Sequence, residues 1–414
     1  MDSGTFAWAM TAGALVLFMT PGVAFFYGGL VKAKSVISMM MMSFGAMGLI
    51  SVLWILYGFN MTAVPNIWDF AGNPFTDAFA LNGLGSADLV LAFFGATFAI
   101  ITVALISGAI ADRAKFGAWL IFAGLWATIV YFPVAAWVWG GGWIFNMGTL
   151  FGLDYSTLDY AGGTAVHINA GAAALALAIV LGKRVGFAKG AHKPHNVPLT
   201  LLGASILWFG WFGFNAGAEA AWANGDGTYG ALGPENSLAG TIVINTLGAT
   251  AAAIIGWLII EKIKDGKPTA VGAASGAVAG LVAITPACAF LTPGWALLLG
   301  VIAGALCALA VELKFKLGFD DSLDVVGIHM VGGFIGCWYL GFFATGTGLF
   351  TGGDGMQLLM QVIASLAVAI YSFVIALVLG FAIEKTIGFR VKNEDEVAGV
   401  DVAVHGEEGY ALVD

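Results

Sequence analysis

The sequence predicts an all-α polytopic membrane protein with about eleven transmembrane helices. Of its 414 residues, 60% are hydrophobic and only 10% are charged, whereas a soluble domain is about a quarter charged. Apolar runs of about 20 residues, long enough to cross a bilayer as helices, recur along the chain. The 60 glycines suit this class of protein, because small residues let membrane helices pack closely.

The first apolar run, residues 7–30, is followed by positive charge at Lys32 and Lys34. A signal peptide carries its positive charge before the apolar run, so we expect this run to remain as a span with its N-terminus outside. The other predicted spans lie near residues 37–60, 90–111, 117–138, 161–182, 199–219, 237–260, 270–288, 294–313, 325–345 and 358–384. An odd number of spans places the C-terminus inside.

The charges segregate between the loops. With these spans, all 16 Lys and Arg residues fall on one side, which the positive-inside rule makes cytoplasmic. The opposite loops hold only acids, such as Asp69, Asp77, Asp88, Asp154, Asp226, Glu235 and Asp354. An outer surface of carboxylates raises the local concentration of cations. Acidic loops that simply solvate a surface explain the pattern equally well.

Span counting indicates an inverted repeat within a transmembrane domain of residues 1–386. Its halves are residues 7–182 and 199–345, residues 358–386 add a helix outside the repeat, and residues 387–414 form a cytoplasmic tail. Two histidines fall in the last spans of the two halves, and each has an aspartate upstream: Asp159 lies eight residues before His167, and Asp324 lies five before His329. Sites of inverted halves meet near the membrane midplane.

His167 and His329 each lie in the middle of an apolar run. A titratable ring in hydrocarbon is costly and usually functional. The residues alone leave several roles open: a metal ligand, an axial haem ligand, a proton relay or the hydrogen-bonding lining of a pore. The structural alternative is a buried histidine bonded to a carbonyl. A multi-haem cytochrome needs more buried histidines, whereas one bis-histidine haem stays possible.

Aromatic residues cluster where several spans meet the outer side. They are Phe94, Phe98, Trp137, Trp139, Trp143, Phe212 and Phe214. The pattern favours an interfacial aromatic belt, and a cation–π cage is the alternative. Asp159 precedes the start of a span, where a carboxylate caps free backbone N–H groups. Attracting a cation or accepting a proton is a functional role compatible with capping. Cys288, Cys307 and Cys337 are expected to be buried hydrophobic residues.

Long motifs follow one another along the chain: TPGVAFFYGGLV from Thr20, DYAGGTAVHINAG, GKRVGF, KPHN, GWFGFNAG, ASGAVAGLVAITPAC, DVVGIHMVGG and DVAVHGEEGY. In this order they resemble the Amt/Mep/Rh ammonium transporter family, on its Amt side. The resemblance implies that His167 and His329 are paired pore histidines that share a hydrogen bond. It also implies that Phe98 and Phe214 are the stacked phenyl rings of an outer gate, with Phe94 beside them.

The same resemblance implies that Trp139 is the indole of an external ammonium site and that Asp159 is the carboxylate beneath the vestibule. For Trp139 the cation–π interpretation then replaces the belt. One position departs from the family. A serine often follows FNAG, but here Ala218 and Glu219 follow it. Ala218 has no side-chain acceptor for ammonium, so we ask whether Glu219 compensates electrostatically.

The resemblance implies an ammonium transporter that recruits ammonium, deprotonates it and conducts ammonia, with or without the proton. Methylammonium would be its analogue. It further implies a homotrimer in the cell membrane and a PII-type regulatory protein at the cytoplasmic tail. We expect no enzymatic activity, cofactor, metal or nucleic acid. The main alternative is an ammonium sensor, although a sensor usually carries an added signalling domain. A haem-bearing oxidoreductase and a transporter for another small cation are further alternatives.

Overall fold

The computed structural model describes residues 1–76, 78–187, 193–221 and 236–410, and these residues form a bundle of apolar helices. The helices are α1 (Ser3–Leu30), α2 (Ala33–Met61), α3 (Ser86–Ile110), α4 (Phe116–Val138), α5 (Gly163–Leu181), α6 (Val197–Ala221), α7 (Ala239–Asp265), α8 (Ala270–Ile284), α9 (Pro293–Leu317), α10 (Val326–Phe343) and α11 (Met356–Thr386). A short helix, α12 (Asn393–Ala398), follows in the tail.

Ten of these helices are long and apolar enough to cross a membrane, and α8 is a shorter apolar helix. The predicted all-α membrane fold is therefore confirmed, while eleven crossings stay a prediction. Within the described residues the only extended pairing is one isolated bridge between Ala114 and Arg390. Three of the acids assigned to outer loops, Asp77, Asp226 and Glu235, lie outside the described residues.

The tail gathers several helix connections at one end of the bundle, which we call the tail end. Lys34, in the first turn of α2 directly after α1, donates a hydrogen bond to the carbonyl oxygen of Val397. The bridge from Arg390 joins the connection between α3 and α4. The backbone N–H of Val185, after α5, donates to Glu396 at 2.6 Å. Connections after three odd-numbered helices therefore share one end with the tail.

Other connections meet at the opposite end, which we call the loop end. The N–H of Val64, after α2, donates to the carbonyl oxygen of Gly140, after α4, at 2.8 Å. The hydroxyl of Tyr155 reaches Asp354, between α10 and α11, at 3.3 Å. The connections after α1 to α5 thus alternate between the two ends, as the predicted spans require. Which end faces the cytoplasm stays a prediction from the charges.

Small residues permit the closest helix pairing. Helices α1 and α6, the first helices of the two predicted halves, pack along much of their length. A Cβ atom at Gly203 would lie only 2.2 Å from the backbone nitrogen of Phe26. Any larger side chain at this position would push the two backbones apart.

A buried ion cluster ties the connections of the tail end together. The guanidinium of Arg184 bonds Asp320 at 2.9 Å and Asp112 at 3.0 Å. Arg113 donates to the carbonyl oxygen of Asp320 at 2.6 Å and to Ser322. Burial raises the pKa of Asp320, but the hydrogen bonds and charge of Arg184 outweigh burial and hold that pKa below its ordinary value. The cluster therefore links the segments after α3, α5 and α9.

Asp320→Asn is expected to destabilise the protein by about 3 to 5 kcal/mol, because it leaves Arg184 buried with one ion partner fewer. The pKa of Asp320 is depressed in the folded protein, so its contribution is present above about pH 4 and is lost as the pH falls below it. Thermal unfolding of the detergent-solubilised protein measures both effects.

Glu312→Gln is the matched control, because Glu312 pairs with Lys264 at a half-exposed site where an ion pair contributes at most about 1 kcal/mol. Equal losses of stability in the two variants would contradict a special role for the buried cluster.

Candidate functional site

The structure brings the two histidines into contact. His167 lies in the first turns of α5 and His329 in the first turns of α10, and both segments are π-helical. Their side chains are buried, with 1% and 3% of their surface exposed. The two Nδ1 atoms are 3.2 Å apart, and the rings are nearly parallel at 18° with centroids 5.3 Å apart. The last helices of the predicted halves therefore share one hydrogen bond.

The shared hydrogen bond determines which donor and which acceptor the pair presents to a solute in the cavity. One Nδ1 must donate and the other must accept, so one Nε2 is an acceptor and the other carries a proton. The Nε2 atom of His167 is buried and has no hydrogen-bond partner among the described residues. Among the described residues, no third His, Cys, Asp or Glu side chain joins the pair in a cluster that could hold a metal ion. The geometry favours a hydrogen-bonding lining.

Apolar groups surround the pair. The ring of His167 stacks on the indole of Trp211 at 5.4 Å and 14°, and that indole donates to the hydroxyl of Thr285 at 2.8 Å. The hydroxyl of Tyr27 donates to the carbonyl oxygen of Leu105 at 3.1 Å. A cavity beside the histidines is lined by Val23, Phe26, Tyr27, Ile101, Leu105, Val166, Leu207, Trp211, Phe214 and Val278. Most of these side chains offer no hydrogen bond.

Stacked phenyl rings lie next to the histidine cavity. The rings of Phe98 and Phe214 are 4.1 Å apart at 18°, and Phe94 packs against Phe98 at 4.9 Å. Phe214 also approaches His167 at 6.2 Å. All three phenyl side chains are buried. The stack therefore closes one side of the cavity.

Trp139 lies on the far side of this stack. Its ring meets Phe98 edge to face, with centroids 6.2 Å apart at 90°. Its indole N–H donates to the backbone carbonyl of Asp159 at 2.9 Å. The indole nitrogen is thus engaged, which leaves the ring face as the surface for a cation.

Asp159 caps α5. One carboxylate oxygen accepts the N–H groups of Gly162 and Gly163 at 2.9 and 2.6 Å. The other accepts those of Thr164 and Ala165 at 2.9 and 3.1 Å. Gly162 adopts a φ of 119°, which a residue with a side chain rarely takes. The structure shows the predicted capping role, and the cation-attracting role stays a prediction.

The aspartate that corresponds to Asp159 is Asp321, and the pairing with Asp324 is wrong. Asp321 lies eight residues before His329, as Asp159 does before His167, and accepts the N–H of Val326 at the start of α10 at 2.7 Å. Burial raises the pKa of Asp321 to about 6. Asp324 instead bonds Lys314 at 2.6 Å. The equal spacing to the two histidines is the sequence signal that distinguishes Asp321 from Asp324.

The departure from the family motif lies at the loop end of α6. Ala218 is buried there. Glu219 accepts the N–H of Leu238 at 2.6 Å and the hydroxyl of Ser237 at 3.0 Å. Both carboxylate oxygens therefore hold the start of α7.

Fold and site together define a multi-pass membrane protein with an apolar cavity, a phenyl stack and a buried histidine pair. The chain matches the family model described as Ammonium Transporter Family over residues 7–410. It is 49% identical to an ammonium transporter of Mycobacterium tuberculosis (strain ATCC 25618 / H37Rv), covering 99% of this chain and 90% of the relative. It is 38% identical to the ammonium transporter Amt1 of Archaeoglobus fulgidus, covering 99% and 100%. The chain belongs to the ammonium transporter family.

Solved structures agree in fold. Candida albicans Mep2 superposes with a TM-score of 0.84 at 31% identity, covering 99% of this chain and 90% of that one. A structure titled Sensor Amt Protein superposes with a TM-score of 0.85 at 28% identity, covering 97% and 98%.

Asp159→Asn is expected to destabilise α5 by about 1 to 3 kcal/mol, because the new amide nitrogen faces backbone N–H groups that lose their acceptor. The midpoint of thermal unfolding in detergent measures the loss. Asp69→Asn is the matched control, since Asp69 bonds only Asn66 in an exposed loop. Equal midpoints for the two variants would show that the cap contributes little.

Proposed function

We propose that this protein recruits ammonium beside Trp139, deprotonates it and conducts ammonia past the phenyl stack and the histidine pair. The observation that supports this most is the 3.2 Å contact between His167 and His329 in a cavity lined almost wholly by apolar side chains. Such a passage offers hydrogen bonds to a small neutral solute and no compensation for a full charge. Membership of the family supports ammonium as the transported species.

Selection against potassium follows from chemistry rather than from charge. Ammonium and potassium carry the same charge, but only ammonium can donate hydrogen bonds and lose a proton. A bare cation in a buried apolar passage loses its hydration without replacement. Neutral ammonia loses far less. A passage that requires deprotonation therefore excludes metal cations.

The histidine pair is suited to guide ammonia. One Nε2 accepts a hydrogen bond from an ammonia N–H, and the other donates to the ammonia lone pair. The stacking of Trp211 against His167 at 5.4 Å holds that ring in place. The same pair can relay a separated proton, because each ring can donate at one nitrogen and accept at the other.

We assign Asp159 an electrostatic role near the site of deprotonation. Four backbone N–H groups already occupy its carboxylate oxygens. It is therefore poorly placed to take a proton from ammonium. Its negative charge nevertheless lowers the free energy of a cation held above the phenyl stack at Trp139 and Phe98.

The proposal includes the assembly that the resemblance implies. Residues 1–386 form the transporting domain and residues 387–414 a regulatory tail at which a PII-type protein acts. The contacts of Glu396 with Val185 and of Asp401 with the N–H groups of Ile37 and Ser38 in α2 support a tail that responds to the helix ends. Three copies, each with its own pathway, form the trimer.

A sensor that binds ammonium and conducts little is the second candidate function. The observation that favours it is the fold shared with the structure titled Sensor Amt Protein. A sensor would use the same aromatic site and would differ in flux rather than in binding.

His167→Ala is expected to abolish ammonium conduction or its selectivity, because it removes one of the two imidazoles that line the cavity. Proteoliposomes on a supported membrane receive an ammonium pulse while current and internal pH are recorded. Cys307→Ala is the control for lost side-chain volume, since Cys307 is buried in α9 and is not among the residues that line the cavity. Unchanged methylammonium uptake and selectivity in His167→Ala would overturn the histidine role.

In the same experiment, the wild-type signals distinguish net ammonium flux, neutral ammonia flux and sensing without flux. A saturable current means that charge crosses with nitrogen. An internal pH change without current means neutral ammonia flux. Neither signal, combined with ammonium binding, supports the sensor.

Ala218→Ser is expected to lower the half-saturation concentration about fivefold, because one added hydrogen bond to ammonium contributes about 1 kcal/mol. Glu219→Gln is expected to raise it if the carboxylate compensates for the missing hydroxyl. Initial rates of methylammonium uptake measure both. No change in Glu219→Gln would remove the compensation and leave Glu219 as a cap of α7.

A further inference from the structure

Helix α11, which lies outside the predicted repeat, carries two buried amides in an otherwise apolar segment. Gln357 and Gln361 lie one helical turn apart and expose 0% and 1% of their surface. A buried amide is costly unless its groups are hydrogen-bonded. A leucine would fill similar space without that requirement.

Gln361 pairs with both backbone hydrogen-bonding groups of one residue, Leu158, in the segment before α5. Its Oε1 accepts the N–H of Leu158 at 2.8 Å, and its Nε2 donates to the carbonyl oxygen of the same residue at 2.7 Å. The same Nε2 reaches the carbonyl oxygen of Cys337 on α10 at 3.1 Å. Gln357 donates to the carbonyl oxygen of Ser156 at 3.1 Å. The two amides of α11 thus bond backbone groups of this segment, as an adjacent β-strand would.

The residue after Leu158 is Asp159, whose backbone carbonyl and carboxylate bond groups other than Gln361. Its backbone carbonyl accepts the indole N–H of Trp139 at 2.9 Å, and its carboxylate caps α5. Gln361 thus fixes Leu158 directly behind the acceptor that fixes Trp139. The chain of contacts runs from α11 through two adjacent residues to the indole.

We propose that Gln361 is a positioning residue for the external ammonium site and sets the orientation of the Trp139 indole over Phe98. This rests on the proposed function of Trp139. Cation–π attraction depends on where the ring face lies relative to the cation. Loss of the paired amide lets the Leu158 peptide turn toward other partners, and the acceptor for Trp139 moves with it.

The first test is Gln361→Leu in proteoliposomes. We expect the half-saturation concentration for ammonium to rise about fivefold, with maximal flux changed less than about twofold, because recruitment is weakened and the histidine pair is untouched. Tyr371→Phe is the matched control. It removes one hydrogen bond, from the Tyr371 hydroxyl to the carbonyl oxygen of Ile129 at 2.6 Å, from the same helix.

Gln361→Glu supplies a readout that a merely structural role would not give. An ionised glutamate accepts from the Leu158 N–H but repels the Leu158 carbonyl. A protonated glutamate donates to that carbonyl and restores the pair. Burial raises the pKa of such a carboxyl group. At each pH we divide the half-saturation concentration of Gln361→Glu by that of the wild type. We expect this ratio to fall toward one as the pH drops from about 8 to 6.

Each outcome separates the two proposals. A wild type without any ammonium signal overturns the proposed function and the positioning role with it. If the wild type is active, either of two results overturns the positioning role alone. The first is an equal half-saturation concentration for Gln361→Leu and Tyr371→Phe. The second is a ratio of half-saturation concentrations, Gln361→Glu to wild type, that does not change with pH. If Gln361→Leu does not fold, the pH dependence of Gln361→Glu decides.

Discussion

The hydrogen bond between the Nδ1 atoms of His167 and His329 is the contact around which the bundle is arranged. It joins α5 to α10, and its 3.2 Å length requires both helices to start at matching heights. Each start is held by an aspartate that lies eight residues before the histidine, Asp159 for one helix and Asp321 for the other. A shift of either helix start would break the bond and leave two buried rings unpaired.

Polar groups in this interior are used in two different ways. Nearly all hydrogen-bonding groups of the Asp159 and Gln361 side chains are bonded to the backbone. These side chains therefore position the backbone and have little capacity to bond a solute. The Nε2 of His167 is the opposite case, buried and without a partner among the described residues. An unpaired buried nitrogen is costly. A solute that passes and bonds it offsets that cost only while it is present.

Much of the architecture was predictable from the sequence. Run lengths gave the spans, charges gave the alternation of ends, and motif resemblance gave the histidine pair and the phenyl stack. Trp211 and Gln361 were missed for different reasons. Trp211 lies within GWFGFNAG, one helical turn before Phe214, but periodicity does not show which ring it stacks on. Gln361 contacts a residue some 200 positions away, a distance that no local pattern reports.

The aspartates show why spacing is more informative than residue type here. Asp324 is nearer in sequence to His329, yet it pairs with Lys314 at the tail end. Asp321 corresponds to Asp159 because an N-terminal cap must lie a fixed number of residues before the helix that it caps. Two helices of opposite direction that place a histidine at the same depth therefore need equal spacing. The inverted repeat stays a prediction, and this equality argues for it more directly than span counting does, since a coincidental pair of caps would not also bring the two rings together.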